Sequence, residues 1–192
     1  MKASKIMIVR HGEKPADKGV PKGVTYQGEK DTEALSVRGW QRAGALSVLF
    51  APSYGPLQNA KLATPTKLIA PGVGPHSPSE RSEQVISVLA GKIGLTIDTK
   101  YLKGDEKKVA KLAMKSDGIV LIAWEHTNIH FIANKIMGEP VVPQAWPDDR
   151  FDIVYVFDYD AITDSYVFSQ VPQMVLSGDL PSVIALPKEP QA

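Results

Sequence analysis

The sequence predicts an α/β fold, a three-layer sandwich with a mostly parallel central sheet flanked by helices and an antiparallel edge hairpin near the C-terminus. Three observations predict it. Short β-branched apolar runs alternate with helix-period segments from residue 5 to about residue 140. The most apolar run, Gly118–Trp124 (GIVLIAW), sits between two such helical segments and reads as a central strand. Two alternating runs, Phe151–Tyr159 and Ser165–Val171, flank Asp160–Asp164 and read as a hairpin.

Taken in order, Lys5–Arg10 (KIMIVR) is the first strand. His11–Thr32 is polar and rich in Gly, Lys and Pro; it is long for a structureless connection, and such segments commonly carry function. Ser36 is the expected N-cap of a helix reaching about Phe50. Val37, Trp40, Leu46 and Leu49 follow the helical spacing there, and Arg38 and Arg42 interrupt it. Pro52, Gly55, Pro56 and Pro65 make 51–66 a loop before a second strand at Lys67–Pro71. Ser77-Pro78-Ser79-Glu80 has the form of a capping box with proline at the first helical position. The helix it opens buries Val85, Ile86, Leu89 and Ile93. A brief strand at Thr96–Asp98 precedes an amphipathic helix over Asp105–Lys115, with Val109, Leu112 and Ala113 inward. After the central strand a helix runs from about Thr127 to Met137, closed by Gly138 and Pro140. Residues 1–180 form the expected single domain, and the proline-rich 181–192 a mobile tail.

The 192 residues carry 22 Lys and Arg against 21 Asp and Glu, so no basic face marks nucleic acid as a partner. The absence of cysteine excludes disulfides, thiol nucleophiles and zinc–thiolate sites. Ile6–Val9 is too short for a signal-peptide core, and no run approaches the roughly 18 apolar residues of a membrane span. A cytoplasmic location without membrane contact is expected.

In open α/β sheets, ligands bind beyond the carboxyl ends of the strands. Arg10 and His11 follow the first strand directly. Arg81 lies in the first turn of the helix after the second strand, and Glu125-His126 follow the central strand. Singly, each has an ordinary reading: a structural histidine, a solvated arginine. Together, two arginines, two histidines and a helix N-terminus make a concentrated anion site.

These segments resemble the motifs of the histidine phosphatase superfamily, which includes the phosphoglycerate mutases and acid phosphatases. Arg10-His11-Gly12 is similar to its Arg-His-Gly signature, and Leu35-Ser36-Val37-Arg38-Gly39 to its Leu-Thr-x-x-Gly segment. Ser79–Gln84 (SERSEQ) resembles its Ser-x-Arg-x-x-Gln segment, and Glu125-His126-Thr127-Asn128 its Gly-His-Ser-Asn segment. The resemblance implies a phosphomonoester hydrolase that needs neither metal nor cofactor. His11 would be the nucleophile and pass through a phosphohistidine, Arg10 and Arg81 would grip the phosphoryl oxygens, and His126 would donate a further hydrogen bond. Lys14 stands where the longer form of the motif has a second arginine; it reads as a phosphate contact or a solvated loop lysine. The leaving-group acid is open: Glu125 leads, then Glu13, with Asp105 and Glu106 in the segment where part of the family has its glutamate. Thr127 occupies the position where another part of the family has an aspartate.

The expected partners are a phosphorylated small molecule or phosphoprotein as substrate and inorganic phosphate as product. Gly12-Glu13-Lys14-Pro15 departs from the phosphoglycerate mutase continuation, which favours hydrolysis over transfer to a second hydroxyl. Two alternatives stand. One is a phosphate-binding or regulatory module of the same fold without turnover. The other is a metal-dependent hydrolase using His126 and His130, four apart on a helix. His76, on a Pro- and Gly-rich loop, reads as a surface residue or part of the pocket mouth.

Overall fold

The computed structural model describes residues 2–187. Its elements are β1 (Lys5–Arg10), α1 (Val37–Phe50), β2 (Lys67–Ile69), α2 (Arg81–Ile93), β3 (Ile97–Asp98), α3 (Glu106–Lys115), β4 (Ile119–Trp124), α4 (Ile129–Met137), β5 (Ile153–Asp160) and β6 (Ser165–Pro172). The strands form one sheet in the order β3-β2-β4-β1-β5-β6. The pairs β2/β3, β2/β4 and β1/β4 are parallel, and β1/β5 and β5/β6 antiparallel.

Alternation along the strands divides the interior in two. Met7, Val9, Leu68, Leu121 and Ala123 face α1 and α2. Ile6, Ile8, Ile69, Val120, Ile122 and Trp124 face α3 and α4. Period-2 side-chain geometry thus produces the three layers, because β1 and β4 are apolar on both faces and need cover on both. The β1/β4 register pairs Arg10 with Trp124. It sets the next residues of each strand, His11 and Glu125, side by side at the carboxyl edge, and the His11 amide extends the ladder to the Trp124 carbonyl at 3.1 Å.

Local signals behave as the chain dictates. Ser36 caps α1, its Oγ accepting from the Gly39 amide at 3.2 Å. Gly94 and Gly138 close α2 and α4 in left-handed conformations, at φ 68° and 83°. The start of α2 departs from expectation: the helix begins at Arg81, with Glu80 at the cap and no side-chain cap bond. The backbones of Gly74 and Ser77 exchange hydrogen bonds at 3.0 and 2.9 Å. That tight turn occupies Ser77, so Pro78–Glu80 stay outside the helix.

Ile184 is buried, and its backbone exchanges two hydrogen bonds with the side-chain amide of Gln170 on edge strand β6, at 2.8 and 3.0 Å. Gln170 acts there as a surrogate strand that docks the chain at Ile184. Residues 188–192 of the expected tail lie outside those described.

Candidate active site

His11 emerges from β1 into a buried position. Its Nδ1 lies 2.8 Å from the Gly12 carbonyl, which can only accept, so Nδ1 carries the hydrogen and Nε2 keeps its lone pair. Burial first, and the Arg10 charge second, push its pKa down to about 3, which leaves the ring neutral. The turn is held by contact with α1. A Cβ on Gly39 would stand 2.6 Å from the Glu13 carbonyl oxygen, and one on Gly12 would stand 3.0 Å from Leu35 Cδ2. Ser36 adds two bonds to that same Glu13 carbonyl, from its amide at 3.0 Å and its hydroxyl at 2.9 Å.

A cavity of about 280 Å³ opens over His11. Its wall includes Lys14, Arg81, Lys103, Glu125 and His126, with His76, Ser77 and Ser79 on the turn before α2. Arg81 donates through Nη1 to the Thr32 carbonyl at 3.1 Å, and its Nη1 lies 3.8 Å from Glu33. Its Nε is buried without a partner. The His126 ring stands edge-on to His11 at 5.6 Å between centroids. Its Nε2 meets Asp148 Oδ1 at 2.9 Å; its Nδ1 is 3.4 Å from Glu125 Oε1 but misaligned for a hydrogen bond, and counts as a buried atom without a partner. Burial, then Arg10, hold His126 below the usual histidine range, outweighing Asp148 and Glu125.

Several expectations are corrected. Glu125 is in the cavity, but it does not hold its proton. Burial pushes its pKa up, yet the Thr127 hydroxyl, Lys103 at 3.2 Å and the His126 charge together pull it below the ordinary carboxylate value. Glu13 does not line the cavity. Its carboxylate turns to the other side of the loop, accepts from Arg42 Nε at 3.1 Å and Nη2 at 2.8 Å, and lies 3.3 Å from Arg38 Nε. That turns it away from the cavity over His11.

Asp105 pairs with Lys108 at 2.7 Å. Glu106 is buried behind the site, where its Oε1 accepts from Trp124 Nε1 at 3.1 Å and Asn128 Nδ2 at 2.7 Å. Neither lines the cavity; their segment delivers Lys103 instead. Arg10 is almost wholly buried and is not part of the cavity wall. Its Nη1 donates to the carbonyls of Pro147, Asp148 and Arg150 at 3.0, 2.8 and 2.9 Å, and its guanidinium stacks over Phe151 at 3.9 Å. Its Nε has no partner. Burial lowers its pKa to about 10, so it stays charged and projects positive potential onto both histidines.

His130 lies against Phe131, 3.9 Å between ring centroids, and does not line the cavity. Among the described residues no three His, Cys, Asp or Glu side chains gather as a metal-holding group, so the His126/His130 pair lacks a third ligand. Sequence reasoning missed Lys103 and Asp148. Lys103 carried a signal, since it follows β3 at the carboxyl edge of the sheet; Asp148 carried none beyond lying in a polar connection.

No family model matches the chain, and no curated protein matches it by sequence. Solved structures match it in shape. The alpha-ribazole phosphatase of Shigella flexneri is similar over 94% of this chain and 100% of its own, at 13% identity and a TM-score of 0.50. A phosphoserine phosphatase mutant from Entamoeba histolytica, crystallised with phosphoserine, covers 86% of this chain and 94% of its own at 12% identity and 0.47. Phosphoglycerate mutase from Plasmodium falciparum covers 94% and 97% at 11% identity and 0.46. The chain shares the α/β fold of the Shigella alpha-ribazole phosphatase. At 13% identity the likeness to the Shigella enzyme fixes the fold, and the chemistry has to be read from the site.

Proposed function

We propose that this chain is a histidine phosphatase, a hydrolase of phosphomonoesters that works without metal through a phosphohistidine on His11. One observation carries the reading: a buried histidine, tied through Nδ1–H to Gly12, keeps Nε2 free at a cavity walled by Arg81, Lys103 and Lys14. A pure anion binder gains nothing from an imidazole held neutral among cations.

In the reaction, Nε2 attacks phosphorus in line and the bond to the ester oxygen breaks. Arg81, with the partnerless Nε, and the Lys103 and Lys14 ammoniums hold the phosphoryl oxygens, while Arg10 supplies field from behind. Before substrate binds, Glu125 is ionised and the His126 ring is uncharged at neutral pH. A phosphate dianion beside them raises both pKa values, so binding takes up the proton that Glu125 then gives to the leaving oxygen. Water next attacks the phosphohistidine, releasing phosphate and restoring His11. The substrate is a phosphorylated metabolite or protein side chain.

The test is hydrolysis of a generic aryl phosphate with chelator present, joined to rapid alkaline quenching of labelled substrate. The expected results are turnover indifferent to chelator, inhibition by vanadate, and acid-labile label on wild type but not on His11→Ala. Full activity of His11→Ala, or turnover abolished by chelator, overturns the reading. A second reading, a phosphate-binding module, is favoured by one observation: Glu125, held below the ordinary carboxylate pKa, offers no proton in the free protein. Phosphate binding with no turnover of any ester supports that reading.

A further inference from the structure

A second depression adjoins the cavity. It has a volume of about 660 Å³ and runs along one face of α2, past Glu80, Glu83, Gln84, Ser87, Val88 and Gly91. Its opposite wall is Trp40 with the loop Thr25–Gln27. The two depressions share a partition: Glu80 faces the larger one, while its neighbours Ser79 and Arg81 line the cavity over His11.

The groove's chemistry is specific. The Trp40 indole is fixed by its Nε1–H bond to the Val24 carbonyl at 2.8 Å, and Tyr26 stands edge-on to it at 5.9 Å, largely exposed. Across from these rings, α2 presents two carboxylates. Gln84 is pinned by the Leu35 amide at 2.8 Å and donates to Glu80 at 3.1 Å, which sets that carboxylate in place. Neither Glu80 nor Glu83 has a Lys or Arg ion-pair partner among the described residues, whereas Glu33 and Glu125 each have one and Glu13 has two. Burial, and then repulsion from Glu80, hold the Glu83 pKa above its ordinary value, a strain that an incoming cation relieves. Aromatic faces opposed to unpaired carboxylates recognise an ammonium or guanidinium group.

We propose that this groove receives a basic side chain of a phosphorylated polypeptide, so that the substrate is a phosphoprotein segment with a lysine or arginine a few residues from the phosphorylated one. The proposal rests on the hydrolase reading for the cavity. Shape selects a polypeptide over a small metabolite: from Glu80 to Gly91 the α2 face runs ~16 Å, which an extended chain covers in roughly five residues. Charge complementarity supplies the basic residue, and the shared partition at Glu80 makes the two occupants parts of one molecule.

The experiment uses the full chain and phosphopeptides that carry a single arginine, moved from four residues before the phosphoserine to four after, each paired with its norleucine counterpart. At one spacing the arginine peptide is expected to exceed its counterpart by roughly 10-fold in kcat/KM. That ratio falls to parity in the double variant Glu80→Gln/Glu83→Gln, and Glu80→Lys/Glu83→Lys inverts the preference toward acidic peptides. Aryl phosphate turnover with no spacing preferred, or a preference that survives Glu80→Gln/Glu83→Gln, overturns the groove and leaves the hydrolase standing. Independently, binding of unphosphorylated arginine peptide is read from tryptophan emission, with Trp40→Phe removing the response. Such binding in a protein that turns over no phosphate ester retains the groove and overturns the hydrolase.

Discussion

At the scale of single residues, the site depends on opposing demands on protons. The proposed role of His11 needs an uncharged ring, and its surroundings keep it so with a pKa of about 3. The unfolded chain takes up that proton near pH 6.5 and the folded chain does not, so the sign is fixed: stability is full above pH 6.5 and falls as pH drops toward 3. The contribution at pH 5 is a loss of about 2 kcal/mol. Urea unfolding at pH 7.5 and pH 5 measures it, and His11→Asn is expected to shrink the difference. Lys103 sets the other demand. It helps hold Glu125 below the ordinary carboxylate pKa, so Lys103→Met raises the Glu125 value. With Glu125 as the acid, the alkaline limb of the kcat/KM profile then moves upward, while KM for an aryl phosphate rises several-fold, about 1 kcal/mol, from the lost cation. An unmoved alkaline limb removes Glu125 from the acid role.

Among the elements, α1 shows what was and was not legible in the chain. Its N-cap Ser36 and its span were readable, because capping and the 3.6-residue period are local. Arg38 and Arg42, which break its apolar pattern, were visible as exceptions without an explanation. They are the two partners of Glu13, and that pairing crosses 29 residues of sequence for Arg42, beyond any local rule. Glu13 was therefore readable as near His11 along the chain and unreadable as facing away from it. The start of α2 is illegible for a similar reason, since the Gly74–Ser77 turn has no strong pattern of its own. The first turn of α1 also makes a prediction. Gly39→Ala drives a methyl onto a backbone oxygen 2.6 Å away, so it displaces the loop that carries His11. Destabilisation of about 2 kcal/mol, with a larger fractional loss of kcat than of thermal stability, is expected from unfolding curves and aryl phosphate assays.

Across the whole molecule, positions 10, 11, 81, 125 and 126 were legible as one region, because strand–helix alternation decides which sheet edge they share. Which of them face the cavity was not legible, as Arg10 illustrates: it lies behind the wall. Long-range polar ties complete the architecture. The Arg42 guanidinium, almost wholly buried, joins Glu13, Gln173 at 2.7 Å and Asp179 at 2.8 Å, so one side chain links the His11 loop, α1 and the segment after β6. Arg42→Met leaves two buried carboxylates short of their counter-charge. A loss of about 3–5 kcal/mol is expected, read as a lowered urea midpoint. Glu13→Gln/Arg42→Met recovers part of it.

The six-rung register between β1 and β4 has a consequence for how this protein can change. It works as a vernier scale: sliding β1 by a single rung swaps that strand's two faces and carries His11 about 3.3 Å off its mark. Insertions within those strands thus disrupt the candidate site and the packing at once. Innovation is confined to the connections that approach the edge from outside, around residues 76–80, 99–105 and 143–149. A saturation library with codon insertions is expected to show a silent band across both strands, and survivors with altered substrate choice only in those three connections.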